Sequence, residues 1–261
     1  MDLHQKVILI TGASSGIGRA TAVALSRRQN RIAIVARREA LLKELSEEIK
    51  ANGSEALIIT GDALDEAVAK DAVLKTVSRF GQIDMALLNI GAGPALNTAT
   101  ATTAEIKDNM RLNYDAMINF FPPLVQQMKQ QEAGGVIAHT NSLAGFLGIP
   151  TQGQYSAAKA ACRIFMDTAR IELKPYGIRV LTLCPGYVVT ERNRQEGVSK
   201  LLTMSMPQAA GHIVRALEEE IPEYLFPTLL KMQILLARLL PRFILNWILS
   251  RSVYSEHKEM N

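Results

Sequence analysis

Residues 6–28 read KVILITGASSGIGRATAVALSRR. Lys6 to Thr11 is a short β-branched apolar run, the composition of a buried parallel strand, and it empties into a turn that holds Gly12, Gly16 and Gly18. An alanine-rich helical stretch follows, ending near Arg28. Strand, glycine turn and helix in this order form a cradle for phosphate. Glycine permits positive φ and lets an anion approach the backbone, and the free N–H groups and dipole of the helix start attract it. A lone glycine pattern would read as a plain tight turn, but three glycines between a strand and a helix point to a nucleotide.

The totals agree with one large α/β domain: 261 residues of which 48% are hydrophobic supply a sizeable core. Residues 1–226 are expected to form a dinucleotide-binding and catalytic unit, with 227–261 as a helical extension of the same domain. The net charge of +4 is spread along the chain and only 5% of residues are aromatic, so neither a basic stripe nor a stacking platform for nucleic acid is visible. Cys162 and Cys184 do not read as a disulfide framework, and no Cys or His pair has metal-ligand spacing, so no metal site is expected. A reducing cytoplasmic setting is expected, because MDLHQKVILITG runs straight into a strand and leaves no room for a signal peptide.

Working outward, Arg31 to Ala36 reads as a second strand, followed at once by Arg37 and Arg38. In a dinucleotide fold this strand end faces the adenosine ribose, where an acid accepts the 2′-hydroxyl and an arginine holds a 2′-phosphate. No acid stands at 36–38, so NADP(H) is expected, with Arg37 as the main contact and Arg38 as helper. A third strand, Glu55 to Thr60, leads to Asp62, which reads equally as an acceptor for an adenine amine or as a helix N-cap. Ala67 to Phe80 reads as helix, and Asp84 to Asn89 as strand four. A loop without periodicity comes next, and Thr102 and Glu105 have capping-box spacing. Asn113 lies inside the following helix, where asparagine either faces solvent or bends the helix for a reason.

Val136 to Thr140 reads as strand five, with Ser142 just past its end. On a helix starting near Gly153, Tyr155 and Lys159 stand four residues apart and share one face, roughly 6 Å apart. A nearby cation favours phenolate, so Lys159 is expected to lower the pKa of Tyr155 and fit it for acid/base work. Arg179 to Cys184 is strand six, its exit loop is Pro185 to Thr190, and a seventh strand lies around Tyr224 to Phe226. The tail from 227 to 249 is mostly apolar but is cut by Lys231, Arg238, Pro241 and Arg242, so it is too interrupted to span a membrane. A lid over a lipophilic pocket, a subunit contact, a helix in a membrane surface and ordinary core helices stay open for it.

Together, TGASSGIG at 11–18, Asp62, NIGA at 89–92, Asn113, Ser142, YSAAK at 155–159 and PGYVVT at 185–190 resemble the short-chain dehydrogenase/reductase family over residues 5–226. The resemblance implies a Rossmann fold, a doubly wound seven-stranded parallel sheet in the order 3-2-1-4-5-6-7 with helices on both faces. It also implies a catalytic group of Asn113, Ser142, Tyr155 and Lys159. Carried over position by position, NADP(H) would meet Gly12, Ser14, Ser15, Gly16, Ile17 and Gly18 at its pyrophosphate, and Arg37 and Arg38 at the 2′-phosphate. Asp62, Ala63, Asn89 and Gly91 would flank the adenosine half, with Tyr155, Lys159, Pro185, Gly186, Val188 and Thr190 at the nicotinamide end. The family usually has Asn-Asn-Ala-Gly where this chain has Asn89-Ile90-Gly91-Ala92.

The activity implied is NADPH-dependent, reversible reduction of a lipophilic ketone or aldehyde by a homodimer or homotetramer. The alternatives are a 3-oxoacyl thioester reductase, for which Arg192, Arg194 and Lys200 hint at a docking patch, and a silent NADP(H)-binding sensor. Peripheral membrane contact would run through 227–249.

Overall fold

The computed structural model describes residues 1–189 and 203–259, with the side chains of 251–259 left aside. Seven parallel strands make the main sheet: β1 (Val7–Thr11), β2 (Arg31–Ala36), β3 (Glu55–Thr60), β4 (Met85–Leu88), β5 (Gly135–Thr140), β6 (Ile178–Pro185) and β9 (Glu223–Phe226). Their order is β3-β2-β1-β4-β5-β6-β9, the expected arrangement with β9 as the seventh strand. A small pair, β7 (Tyr187–Val188) and β8 (Thr203–Met204), stands apart from that sheet and was not read from the sequence.

The helices are α1 (Gly16–Ser26), α2 (Glu39–Ala51), α3 (Glu66–Phe80), α4 (Thr103–Met110), α5 (Ala116–Ile118), α6 (Phe121–Met128), α7 (Gly153–Glu172), α8 (Met206–Glu218), α9 (Thr228–Leu239) and α10 (Arg242–Glu259). Strand side chains alternate between faces, and each face has its own apolar layer. Ile8, Ile10, Ile32 and Ile34 pack with Leu25, Leu45 and Ile213 under α1, α2 and α8. Leu9, Ala33, Val35 and Ile137 pack with Val73, Leu124 and Met166 under α3, α6 and α7. All five residues of β1 are buried, so it forms the middle of both layers, and each large side chain there contributes about 2 kcal/mol of burial.

Several boundaries differ from expectation by a residue or two. Strand four is shorter, Met85–Leu88, because Asp84 turns its carboxylate onto the Val7 N–H at 2.7 Å. Helix α3 starts at Glu66 and its N-cap is Asp65, which accepts from the Ala67 N–H; Asp62 is therefore not the cap. Thr102 and Glu105 form the reciprocal capping box that opens α4. After α4 the chain widens into a π-helical turn, Arg111–Asp115, with Asn113 fully buried inside it. Helices α9 and α10 fall on either side of Pro241, as expected from proline's missing donor.

Candidate active site

Parallel strands all end at one edge, and a cleft of about 1840 Å³ opens there, between the glycine turn and α9. At its nucleotide end the backbone does most of the shaping. Gly12 and Gly16 have φ of +66° and +61°, in the region that favours glycine. A Cβ on Gly18 would fall 2.6 Å from both the Gly12 carbonyl oxygen and Asn89 Nδ2, so the first turn of α1 can press against β1 and β4 only as glycine. Thr11 Oγ1 accepts from the Asn89 N–H at 3.0 Å, and Asn89 Oδ1 is buried without a partner. Ile90 packs its Cγ1 against Gly12, an apolar contact where the family pattern has an amide.

Beside the cradle, the two arginines after β2 diverge. Arg38 crosses to Ser14 and donates to its Oγ from Nη2 at 2.9 Å, and also reaches Ser15 Oγ. Arg37 stays outside, 3.6 Å from Asp62 Oδ2, with both side chains largely in solvent. An exposed pair of this kind is worth less than about 1 kcal/mol, so an anion can displace it. Asp62 Oδ1 accepts from the Leu64 N–H, and the Ala63 carbonyl accepts from Asn119. The open φ-positive turn, the orphaned Asn89 oxygen and the arginine pair fit a dinucleotide.

The other end is built from side chains that are buried, Lys159 and Asn113, or half-buried, Ser142 and Tyr155. Ser142 caps a short 3₁₀ turn, Leu143–Phe146, its Oγ accepting from the Ala144 N–H at 3.1 Å, and its side chain also hydrogen-bonds the Tyr155 phenol. Helix α7 brings Tyr155 to the cleft and drives Lys159 inward, where the ammonium donates to the Thr140 carbonyl at 3.0 Å and lies 5.7 Å from the Tyr155 ring centroid. Burial lowers the Lys159 pKa. The expected lowering of the Tyr155 pKa is corrected by this arrangement. Burial pushes the phenol up to about 12, the Ser142 hydrogen bond opposes that only in part, and nearby Cys162 and Cys184 add to the rise.

Asn113 reaches the same region as a clamp. Its amide donates to the carbonyls of Ala92 and Asn109 at 2.9 Å, and its Oδ1 accepts from the Ala92 N–H at 3.2 Å. A Cβ on Gly91 would lie 2.6 Å from Asn113 Oδ1 and 2.9 Å from Lys159 Nζ, so a larger residue there would displace these two side chains. Pro185, Gly186 and Val188 line the cleft near α9, where a Cβ on Gly186 would meet Leu230 at 2.5 Å. Thr190, Arg192, Arg194 and Lys200 lie outside the described residues.

Four contributors escaped sequence reading. Asn109 shares the Ala92 carbonyl with Asn113, and the Cys162 thiol donates to the Asn113 carbonyl at 3.4 Å. Leu230 and Ile234 of α9 face the cleft and pack with Leu143, Phe146 and Leu225. The signals available were the spacing of Asn109 four residues before Asn113 and the apolar tail from 227 to 249, for which a lid over a pocket stayed open without naming Leu230 or Ile234.

Comparison with known proteins places this geometry. The short chain dehydrogenase family model matches residues 6–200. An uncharacterized oxidoreductase of Thermotoga maritima is 39% identical over 194 residues, covering 73% of this chain and 75% of that protein. The L-rhamnose 1-dehydrogenase (NAD(P)(+)) of a Sphingomonas strain is 31% identical over 195 residues, covering 74% and 77%. Among solved structures, levodione reductase superposes with a TM-score of 0.78 at 25% identity, over 85% of this chain and 95% of the other. Glycine cradle, Ser-Tyr-Lys group, sheet order and relatives lead to one assignment: the chain belongs to the short-chain dehydrogenase/reductase family, whose members are NAD(P)-dependent oxidoreductases.

Proposed function

We propose that this protein is an NADPH-dependent reductase of a lipophilic ketone or aldehyde, reversible as an alcohol dehydrogenase. The observation that carries the reading is the convergence of Ser142, Tyr155 and Lys159 on one wall of the cleft, with Tyr155 held protonated. A phenol with a pKa of about 12 is almost wholly a proton donor at neutral pH, which suits reduction, where an alkoxide needs a proton. NADPH, when bound, supplies hydride to the carbonyl carbon.

The chain's own residues do the rest. Ser142 and Tyr155 orient the carbonyl oxygen and stabilise the charge that develops on it, worth roughly 3 kcal/mol for each donor. Tyr155 releases its proton to that oxygen. Lys159 holds the cofactor's nicotinamide ribose and places a positive charge behind the phenol, which favours the phenolate left after proton transfer. Asn113 keeps the Ala92 backbone and the adjacent helix turn in position for proton resupply. Gly12 to Gly18 receive the pyrophosphate, Asp62, Ala63, Asn89 and Gly91 flank adenosine, and Arg37 and Arg38 hold the 2′-phosphate. Leu143, Leu230 and Ile234, backed by Phe146 and Leu225, form the apolar wall that selects a lipophilic substrate.

Two structural proposals accompany this reading. Residues 227–259 are an extension of the same domain, since Leu230 and Ile234 pack into its apolar wall. Exposed Ile106 on α4 and Ile164 and Ile171 on α7 support a homodimer or homotetramer joined across these helices.

The test is NADPH oxidation with carbonyls graded by chain length. Turnover that rises with length in the native protein and is lost in Tyr155→Phe, with NADPH still bound, is expected. Turnover retained in Tyr155→Phe removes the phenol from its role.

A further inference from the structure

Helix α9 has two apolar faces. Leu230 and Ile234 point to the cleft, whereas Leu229, Met232, Leu236 and Leu239 recur at three- and four-residue spacing on the outer side. That outer stripe is exposed, 53% at Leu229, 59% at Leu236 and 80% at Leu239, and it continues into α10 with Phe243 and Trp247 at 74% and 57%. A cluster of exposed large apolar side chains on two consecutive helices marks an interaction site.

The charges beside the stripe identify its occupant. From 227 to 255 the chain carries Lys231, Arg238, Arg242 and Arg251 and no Asp or Glu. A symmetric contact with a second copy would bring these cations toward their own equivalents with no acid in the segment to oppose them. An anionic phospholipid surface offers both what the stripe lacks, an apolar phase, and what the cations lack, fixed negative charge. Crossing the bilayer is not the mode, because among the described residues no helix is long and apolar enough to do so, and α9 with 12 residues is about 18 Å long.

We propose that α9 and the start of α10 lie in the surface of an anionic phospholipid bilayer. Leu229, Met232, Leu236, Leu239, Phe243 and Trp247 enter the acyl boundary and Lys231 and Arg242 stand at the headgroups, while Arg238 lies over the Phe146 ring, 5.4 Å from its centroid. The proposal concerns binding alone and needs neither cofactor nor turnover, so it stands or fails separately from the reductase reading.

Trp247 is the chain's one tryptophan, so its emission reports this patch. The full-length protein is mixed with vesicles of phosphatidylcholine, or of equal parts phosphatidylcholine and phosphatidylglycerol, and followed by flotation and fluorescence. Flotation with the phosphatidylglycerol vesicles, a blue-shifted Trp247 and weakening by salt are expected. Leu236→Asp with Leu239→Asp, both at exposed positions, should reduce binding at least ~10-fold at an unchanged melting temperature. Arg242→Gln should weaken it about fivefold.

Three results overturn the proposal. One is flotation with neither vesicle, or with both equally. Another is a blue shift that follows protein concentration without lipid, which assigns the stripe to a second copy. The third is phosphatidylglycerol binding unchanged by the two aspartates, which assigns it to the general basic charge of the chain.

Discussion

The two ends of the cleft solve different problems with different materials. At the nucleotide end, Gly12, Gly16, Gly18 and the Arg37–Asp62 pair present backbone and solvent-facing charge, and the surfaces stay open. At the catalytic end, Lys159, Asn113 and His139 are almost wholly buried and Tyr155 is half-buried, so local dielectric and hydrogen bonding govern each group. Substitutions at the first end should therefore change which cofactor binds and how tightly. Those at the second should change proton chemistry, turnover and the pH response of stability.

The largest contrast is expected from Tyr155→Phe, which should lower turnover ~1000-fold while NADPH affinity stays within a few fold, read by single-turnover absorbance and fluorescence titration. Comparable losses in both would erase the distinction between the ends. Next, Gly18→Ala forces a methyl to within 2.6 Å of the Gly12 carbonyl oxygen and should cost about 2–3 kcal/mol of stability, with weaker NADPH binding. Denaturant unfolding and cofactor titration check this, and unchanged affinity would mean the turn relaxes without touching the cradle. Arg37→Asp should weaken NADPH about 30-fold and NADH much less, and an equal loss for both would remove the 2′-phosphate from this site.

Smaller effects test the catalytic end through protons. His139 on β5 is wholly buried with both ring nitrogens unpartnered, and burial, aided by Lys159, holds its pKa well below the usual histidine range. A depressed folded pKa means that the unfolded chain binds the proton more readily. Its contribution is therefore present above about pH 6.5 and lost as pH falls below it. His139→Leu should flatten that acid decline in melting temperature, and an unchanged decline would place its origin elsewhere. Smallest of all, Cys162→Ala removes a thiol that donates to the Asn113 carbonyl and should cost about 1 kcal/mol in urea unfolding.

Much of the nucleotide end was legible because its requirements are local. Positive φ, a strand-to-helix turn and a pair of arginines at a strand end are properties of neighbours in sequence, as is the Thr102–Glu105 capping box. At the other end, the convergence of Ser142, Tyr155 and Lys159 was legible and its electrostatics were not. Spacing placed Lys159 beside Tyr155, but the ammonium bonds the Thr140 carbonyl, and the surrounding burial reverses the expected direction of the phenol's shift. An asparagine inside a helix left a bend at Asn113 open, but the π-helical form of that turn and the Cys162 contact rest on packing between α7 and the Arg111–Asp115 segment, which no local pattern announces. The β7 and β8 pair is only two residues long on each side, too short for periodicity to register.

Helix α9 is a partition with the cleft on one side and the outer apolar stripe on the other. Equilibrium linkage then sets a symmetric rule. By whatever factor a ligand on the outer stripe changes the affinity of the cleft, a molecule in the cleft changes the affinity of the stripe by the same factor. Close approach of Leu230 to the Gly186 backbone gives this coupling a physical route, because an outward tilt of α9 would open that approach. Occupancy of one compartment is thereby written into the binding isotherm of the other.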